Sequence, residues 1–322
     1  MTYKKNLIIL LSIISVLILI YTGSIIFDAA RAGARAAAYT WLDSKFSSSI
    51  TRIVFSFELD EDDENEAGRE TMELVKRAGQ WLVSVSGIEF PARQLRIEDF
   101  IGDLTARSSY PVRSTGASSH ERLGLGDDAP RITVYSGNTT ILDILIGTDD
   151  IVSGDIYVRK FGQNEVRSGD IKFLSYLTDP LANWYNLRLI PESEDAKLDI
   201  DSIQRVSVYG EETQIFTRRS RDWIIEGIEV NNPNQSAINS YIRSILNVEG
   251  TDFVAGISLD DPAFNFRRIV LEFGNGSIRT INIAEANEFG RCVAYITGSE
   301  FIYSIPEWTA ESLFRSAEEF EL

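Results

Sequence analysis

The same order of short motifs occurs twice along this chain. Ile50-Thr51-Arg52-Ile53 recurs as Ile203-Gln204-Arg205-Val206, and Trp81-Leu82-Val83 recurs as Trp223-Ile224-Ile225. Gly87-Ile88-Glu89-Phe90-Pro91 returns as Gly227-Ile228-Glu229-Val230-Asn231. Ile97, Phe100, Ile101 and Leu104 are matched by Ile238, Tyr241, Ile242 and Ile245 at a constant offset of 141. Asp127-Asp128-Ala129-Pro130 and Asp260-Asp261-Pro262 follow in the same order. A colinear repeat of this size reads as one folding unit used twice, which agrees with about two domains for 322 residues. The spacing drifts where the first copy carries extra residues, the acidic run Asp60–Glu66 and a Ser/Gly-rich stretch around Ser114–Gly126.

Each copy spells the same elements. Opening strands (Ile50–Phe57, Ile203–Tyr209) lead to second strands (Met72–Arg77, Thr213–Arg218), and a third begins at the tryptophan. Apolar residues then fall at i, i+3, i+4 and i+7, the period of a helix with one buried face. Proline after the paired aspartates closes that connection. Hairpins are expected around Gly137-Asn138 and Gly274-Asn275-Gly276, where glycine and asparagine supply positive φ. Further strands near Ile156–Arg159 and Cys292–Thr297 and a short closing helix complete each copy. Consecutive strands with few helices predict an α+β fold with mainly antiparallel sheets.

Ahead of the repeats, Leu7–Phe27 is a run of 21 residues without a charge, 15 of them Leu, Ile, Val or Phe. As a helix it would span about 31 Å, the thickness of a hydrocarbon core. Cleaved export signals have shorter cores, of about 7–15 residues, so an uncleaved transmembrane anchor is the expected reading. Basic residues flank it on both sides (Lys4 and Lys5; Arg31, Arg35 and Lys45), which leaves little orienting bias. The order of charge, apolar core and domain favours an internal N-terminus. So does the acidity of the rest, in a chain of net charge −17, because acidic domains avoid the anionic inner leaflet. Ala29–Phe46 is expected to extend the helix as a stalk, broken at Ser47-Ser48-Ser49.

The Lys-flanked anchor, the Ile-x-Arg-Ile opening, the strands of Trp81 and Trp223 and the stretch Leu123–Pro130 together resemble the bacterial domain-of-unknown-function family numbered 4340. The resemblance implies a membrane-anchored tandem unit and an association with ABC-transporter components of the gliding-motility type. It supplies no catalytic residues. The first copy departs from the pattern with Gly126 and with Ala129 before its proline.

Composition excludes several classes. A pI near 4.6 argues against nucleic acid, whose binding requires a basic surface. One cysteine, Cys292, allows no internal disulfide, and one histidine, His120, allows no site that needs two. Asp60–Glu66 lacks EF-hand spacing, since Asn65 and Thr71 stand where the loop needs glycine and glutamate, so it reads as a solvated hairpin loop. His120 lies in a Ser/Gly-rich insertion with no orienting acid in its local sequence. Asp127-Asp128 and Asp260-Asp261 read as turn residues, with hydrolysis as a minor alternative. No cofactor or metal is expected. Trp81 and Trp223 are expected to anchor the two cores. Trp184, Tyr185 and Trp308 are expected to be exposed rings available to a partner or ligand.

These readings divide the chain into a tail and anchor (1–27), a stalk (28–49), a first α+β repeat (50–190) and a second (191–322). The function expected is that of a non-enzymatic, single-pass subunit of the bacterial inner membrane, its bulk extracytoplasmic and its partner an ABC-type transporter. The alternative is an envelope module that binds a glycan or peptide.

Overall fold

The computed structural model describes residues 14, 17, 20–23, 38–58, 69–150, 153–191, 199–226, 232–254, 256–259, 265–285 and 291–321. Two compact units are formed, one by Met1–Glu89 with Gln94–Asp179 and the other by Phe90–Arg93 with Pro180–Leu322. The fold is α+β, and the strand pairs with a recorded register are antiparallel.

The first unit opens with Ala38–Tyr39 (β1), which pairs with Ser108–Ser109 (β6). Its main sheet contains Arg52–Glu58 (β2), Arg69–Arg77 (β3), Gln80–Val85 (β4), Ile88–Pro91 (β5), Val112–Ser114 (β7), Arg131–Ser136 (β8), Thr139–Asp149 (β9), Ile156–Lys160 (β10) and Val166–Gly169 (β11). Across the sheet the order is β5-β4-β3-β2-β8-β9-β10-β11-β7. Helix α1 (Gln94–Thr105) buries Ile97, Phe100 and Leu104. The Phe100 ring meets Phe55 of β2 at 5.2 Å and Tyr176 of the short helix α2 (Lys172–Thr178) at 4.9 Å. Ile53, Leu74, Val83, Ile132, Val134 and Ile144 complete a core closed to solvent.

The second unit contains Ile203–Tyr209 (β12), Thr213–Arg219 (β13), Asp222–Glu226 (β14), Asp252–Phe253 (β15), Phe266–Phe273 (β16), Ile278–Ala284 (β17), Arg291–Ile296 (β18) and Ile302–Pro306 (β19). Their order is β14-β13-β12-β16-β17-β18-β19-β15. Helix α3 (Gln235–Leu246) buries Ile238, Tyr241, Ile242 and Ile245, the same spacing as α1. Its N-terminus is capped by Asn234, whose side chain accepts from the Ala237 N–H at 3.1 Å. Phe216, Tyr241 and Phe320 form a three-ring cluster with centroids 5.1–5.6 Å apart. Helix α4 (Glu307–Ser312) follows β19 directly.

Both expected hairpins form, β8–β9 through Gly137 (φ 57°) and β16–β17 through Gly276 (φ 82°). The stalk differs from expectation where the structure describes it. Ala38–Tyr39 is strand and Ser44–Ser49 is a 3-10 helix capped by Asp43. Trp41 and Leu42 are buried, the Leu42 N–H donates to Leu104, and the Thr40 hydroxyl donates to Leu42 and Leu104 carbonyls. Buried aromatic area holds this stretch to the first unit, so that unit includes Ala38–Ser49 as well as the residues from 50 onward.

The units also part earlier than the 190/191 break read from the sequence. Asn186 donates to Pro91, Leu189 to Val248, and Gly250 to Leu187, so Pro180–Ile190 belongs to the second unit. Ile14, Leu17 and Ile20–Gly23 are helical and exposed. No helix among the described residues is long and apolar enough to cross a membrane, and most of Leu7–Phe27 lies outside them. Asp60–Glu66, Gly227–Asn231 and Asp260–Pro262 also lie outside the described residues.

Candidate binding cleft

The repeated tryptophans occupy corresponding places. Trp81 on β4 is 5% exposed and Trp223 on β14 is 1% exposed. Each stands opposite a cationic residue on the neighbouring strand, Lys76 on β3 and Arg218 on β13. Each of those cations lies 5.6 Å from its ring centroid. Each tryptophan backbone is also held by the first residue of the following helix. Trp81 N–H donates to Gln94 Oε1 (3.2 Å), and Gln94 Nε2 donates back to the Trp81 carbonyl (3.1 Å). Trp223 and Gln235 make the same pair at 2.7 and 2.9 Å. A primary amide presents a donor and an acceptor side by side, so it completes a strand edge as a neighbouring peptide would. These glutamines escaped the sequence reading, although they stand at the same offset of 141 as the apolar positions of the two helices.

The other three aromatic positions divide. Trp184 and Tyr185 are 1% and 5% exposed, so the expectation that they are open rings does not hold. The Trp184 carbonyl accepts from Arg93 N–H, and Tyr185 packs on Phe90 and Phe253 at 5.2 and 5.1 Å. Trp308, on α4, is 73% exposed.

The stretch Leu123–Pro130 is a packed loop. Gly124 takes φ 64°, and Leu125 is wholly buried with Ala129, Leu145 and Val166. Arg159 of β10, 5% exposed, reaches beneath it and donates to the carbonyls of Leu125 (2.8 Å) and Gln163 (3.2 Å). Asp127 lies 3.9 Å from that guanidinium, yet its side chain is 97% exposed. His120 contacts the Asn164 carbonyl through Nε2 at 3.2 Å. Cys292 is buried in β18, and burial pushes its thiol pKa up, away from thiolate reactivity. Among the described residues, no three His, Cys, Asp or Glu side chains come together as a metal-holding group.

A recess of about 860 Å³ lies within the second unit, between the β12–β13 turn, β16 and the segment after α4. Its walls include Glu211, Glu212, Gln214 and Arg267, with Glu311, Phe314, Arg315 and Glu318 opposite. Gln214 is 3% exposed; its Nε2 donates to the Arg315 carbonyl while its Oε1 has no hydrogen-bond partner. Arg267 Nε is likewise buried without a partner, and its guanidinium lies 4.3 Å from the Phe314 ring centroid. Tyr241 donates to the Leu313 carbonyl at 2.7 Å and so fixes the chain that forms the far wall. Burial raises its hydroxyl pKa and keeps it a donor. The sequence carried no local sign of the cleft, because three distant segments build it.

Two antiparallel sheets, each carrying a helix clamped to a tryptophan strand, define a two-unit α+β protein. The chain belongs to the family described as Domain of unknown function (DUF4340), whose profile matches residues 81–263. No curated protein and no solved structure matches it significantly.

Proposed function

We propose that the chain is a single-pass membrane subunit whose two extracytoplasmic sheet units, copies of one ancestral unit, hold partner proteins of an ABC-type transport complex in the bacterial inner membrane. The observation that carries this reading is the pair of matching strand orders, β4-β3-β2-β8-β9-β10-β11-β7 and β14-β13-β12-β16-β17-β18-β19-β15, behind an uncharged run long enough to span a bilayer. Duplicated sheets offer broad surfaces and strand edges on which partners assemble. The transporter itself comes from the family resemblance. Purification from membranes in mild detergent, followed by mass spectrometry, tests it. Stoichiometric recovery of transporter subunits is expected; a chain that elutes alone from membranes containing such a transporter contradicts the proposal.

A second reading, an envelope binding module for a peptide or glycan, is favoured by the cleft of about 860 Å³ in the second unit.

A further inference from the structure

We propose that a second recess of the second unit binds a small acid with a compact apolar body and a further oxygen at its opposite end. The proposal goes beyond the subunit and binding-module readings and depends on neither. This recess, of about 350 Å³, lies between the segment Asn186–Pro191, the β18–β19 turn and Arg279 of β17. Small-molecule sites span about 300–1,000 Å³, so the space suits a compact ligand. Its walls are largely apolar. Leu189, Ile190 and Ile296 line it while almost wholly buried, with Pro91 and Phe301 beside them.

Tyr303 of β19 also lines the recess, and it is 3% exposed. Its hydroxyl has no hydrogen-bond partner among the described residues, yet it is not sealed from solvent as Gln214 Oε1 and Arg267 Nε are. A buried tyrosine hydroxyl ordinarily finds a partner. The neighbouring hydroxyls are already engaged. Thr297 Oγ1 accepts from Asn282 Nδ2 at 2.9 Å, and Ser299 Oγ accepts from the Phe301 N–H at 3.2 Å. Tyr303 thus offers an open donor to a ligand oxygen.

Charge supplies the other end. Arg188 is held by Asn247 at 2.8 Å and Glu249 at 3.6 Å. Arg279 reaches only the Ile278 carbonyl, at 3.4 Å, and forms no ion pair among the described residues. A guanidinium in that state recognises a carboxylate, which it can grip with two N–H groups. β18 lies between the strands of Arg279 and Tyr303, so their backbones are two strand spacings, about 10 Å, apart. One carboxylate does not span that interval, whereas an acid with a second oxygen beyond its apolar body does.

Isothermal titration of the full chain in lipid nanodiscs, against empty nanodiscs, tests the proposal with three probes. These are 3-(4-hydroxyphenyl)propionate, 3-phenylpropionate, which lacks the far oxygen, and 4-ethylphenol, which lacks the carboxylate. The hydroxy acid should bind at least five-fold more tightly than either of the others. Tyr303→Phe should weaken the hydroxy acid at least five-fold and leave 3-phenylpropionate unchanged. Its melting temperature at neutral pH should not fall, because the hydroxyl it removes has no protein partner. Arg279→Gln should weaken both acids and leave 4-ethylphenol unchanged. Equal binding of the three probes, no binding of the hydroxy acid, or binding of it that neither variant alters would overturn the proposal.

Discussion

Gln94 and Gln235 show how one side chain can hold a strand to a helix. Each amide satisfies both backbone groups of its tryptophan. Replacing the amide by a carboxylate removes the donor and sets negative charge against the Trp carbonyl. Gln94→Glu and Gln235→Glu should therefore each destabilise by about 1–3 kcal/mol in urea unfolding, the cost of leaving a shielded polar group unsatisfied. Gln204→Glu, on an exposed side chain, should be silent. Truncating the rings themselves, Trp81→Ala or Trp223→Ala, should cost about 3–5 kcal/mol each. A tryptophan silent in stability would belong to a surface site instead.

Buried tyrosines set the alkaline limit. Burial raises the pKa of Tyr303 to about 12, and burial also raises Tyr176 and Tyr241. In the unfolded chain these hydroxyls lose their protons near pH 10. Between that value and their folded pKa values the native state binds more protons than the unfolded state, so stability falls as pH rises. Below about pH 10 both states are protonated and these groups add no slope. Urea midpoints at pH 7, 8.5 and 11 should be level between the first two and drop at the third.

At the scale of elements, the loop Leu123–Pro130 owes its seat to a glycine on a different strand. A Cβ built on Gly147 of β9 would lie 2.2 Å from the Leu123 carbonyl and 2.9 Å from Leu125 Cγ. Gly147→Ala should thus lift the loop from the sheet, destabilising the unit by about 1–3 kcal/mol as overpacking does. Proteolysis within residues 121–130 should accelerate in the same variant. Much at this scale was readable beforehand. The 3.6-residue period placed α1 and α3, and the Gly-Asn pairs placed both hairpins. What escaped depends on distant partners. Trp184 and Tyr185 sit among Asn183, Asn186 and Arg188, a polar neighbourhood that suggests exposure, yet Phe90 and Phe253 bury Tyr185 from far along the chain. Strands as short as β7 and β15 leave no periodic trace. Gln94 and Gln235 read as ordinary surface residues until their strand partners are seen.

At the scale of the whole molecule, the cleft was hidden from the sequence because Gln214, Arg267 and Arg315 lie on three separate segments. The repeat of short motifs, by contrast, is written in the spacing of apolar residues, and, β5 aside, the two sheets run through their strands in the same order. That arrangement follows an uncharged run of 21 residues, and the proposed function requires it to cross the membrane with both units outside the cytoplasm. The most direct measurement is protease treatment of intact spheroplasts, followed by detection of an N-terminal tag. The account predicts that both units are digested and a short, membrane-embedded N-terminal fragment remains. A full-length chain that survives until the membrane is lysed would place the units inside and contradict it.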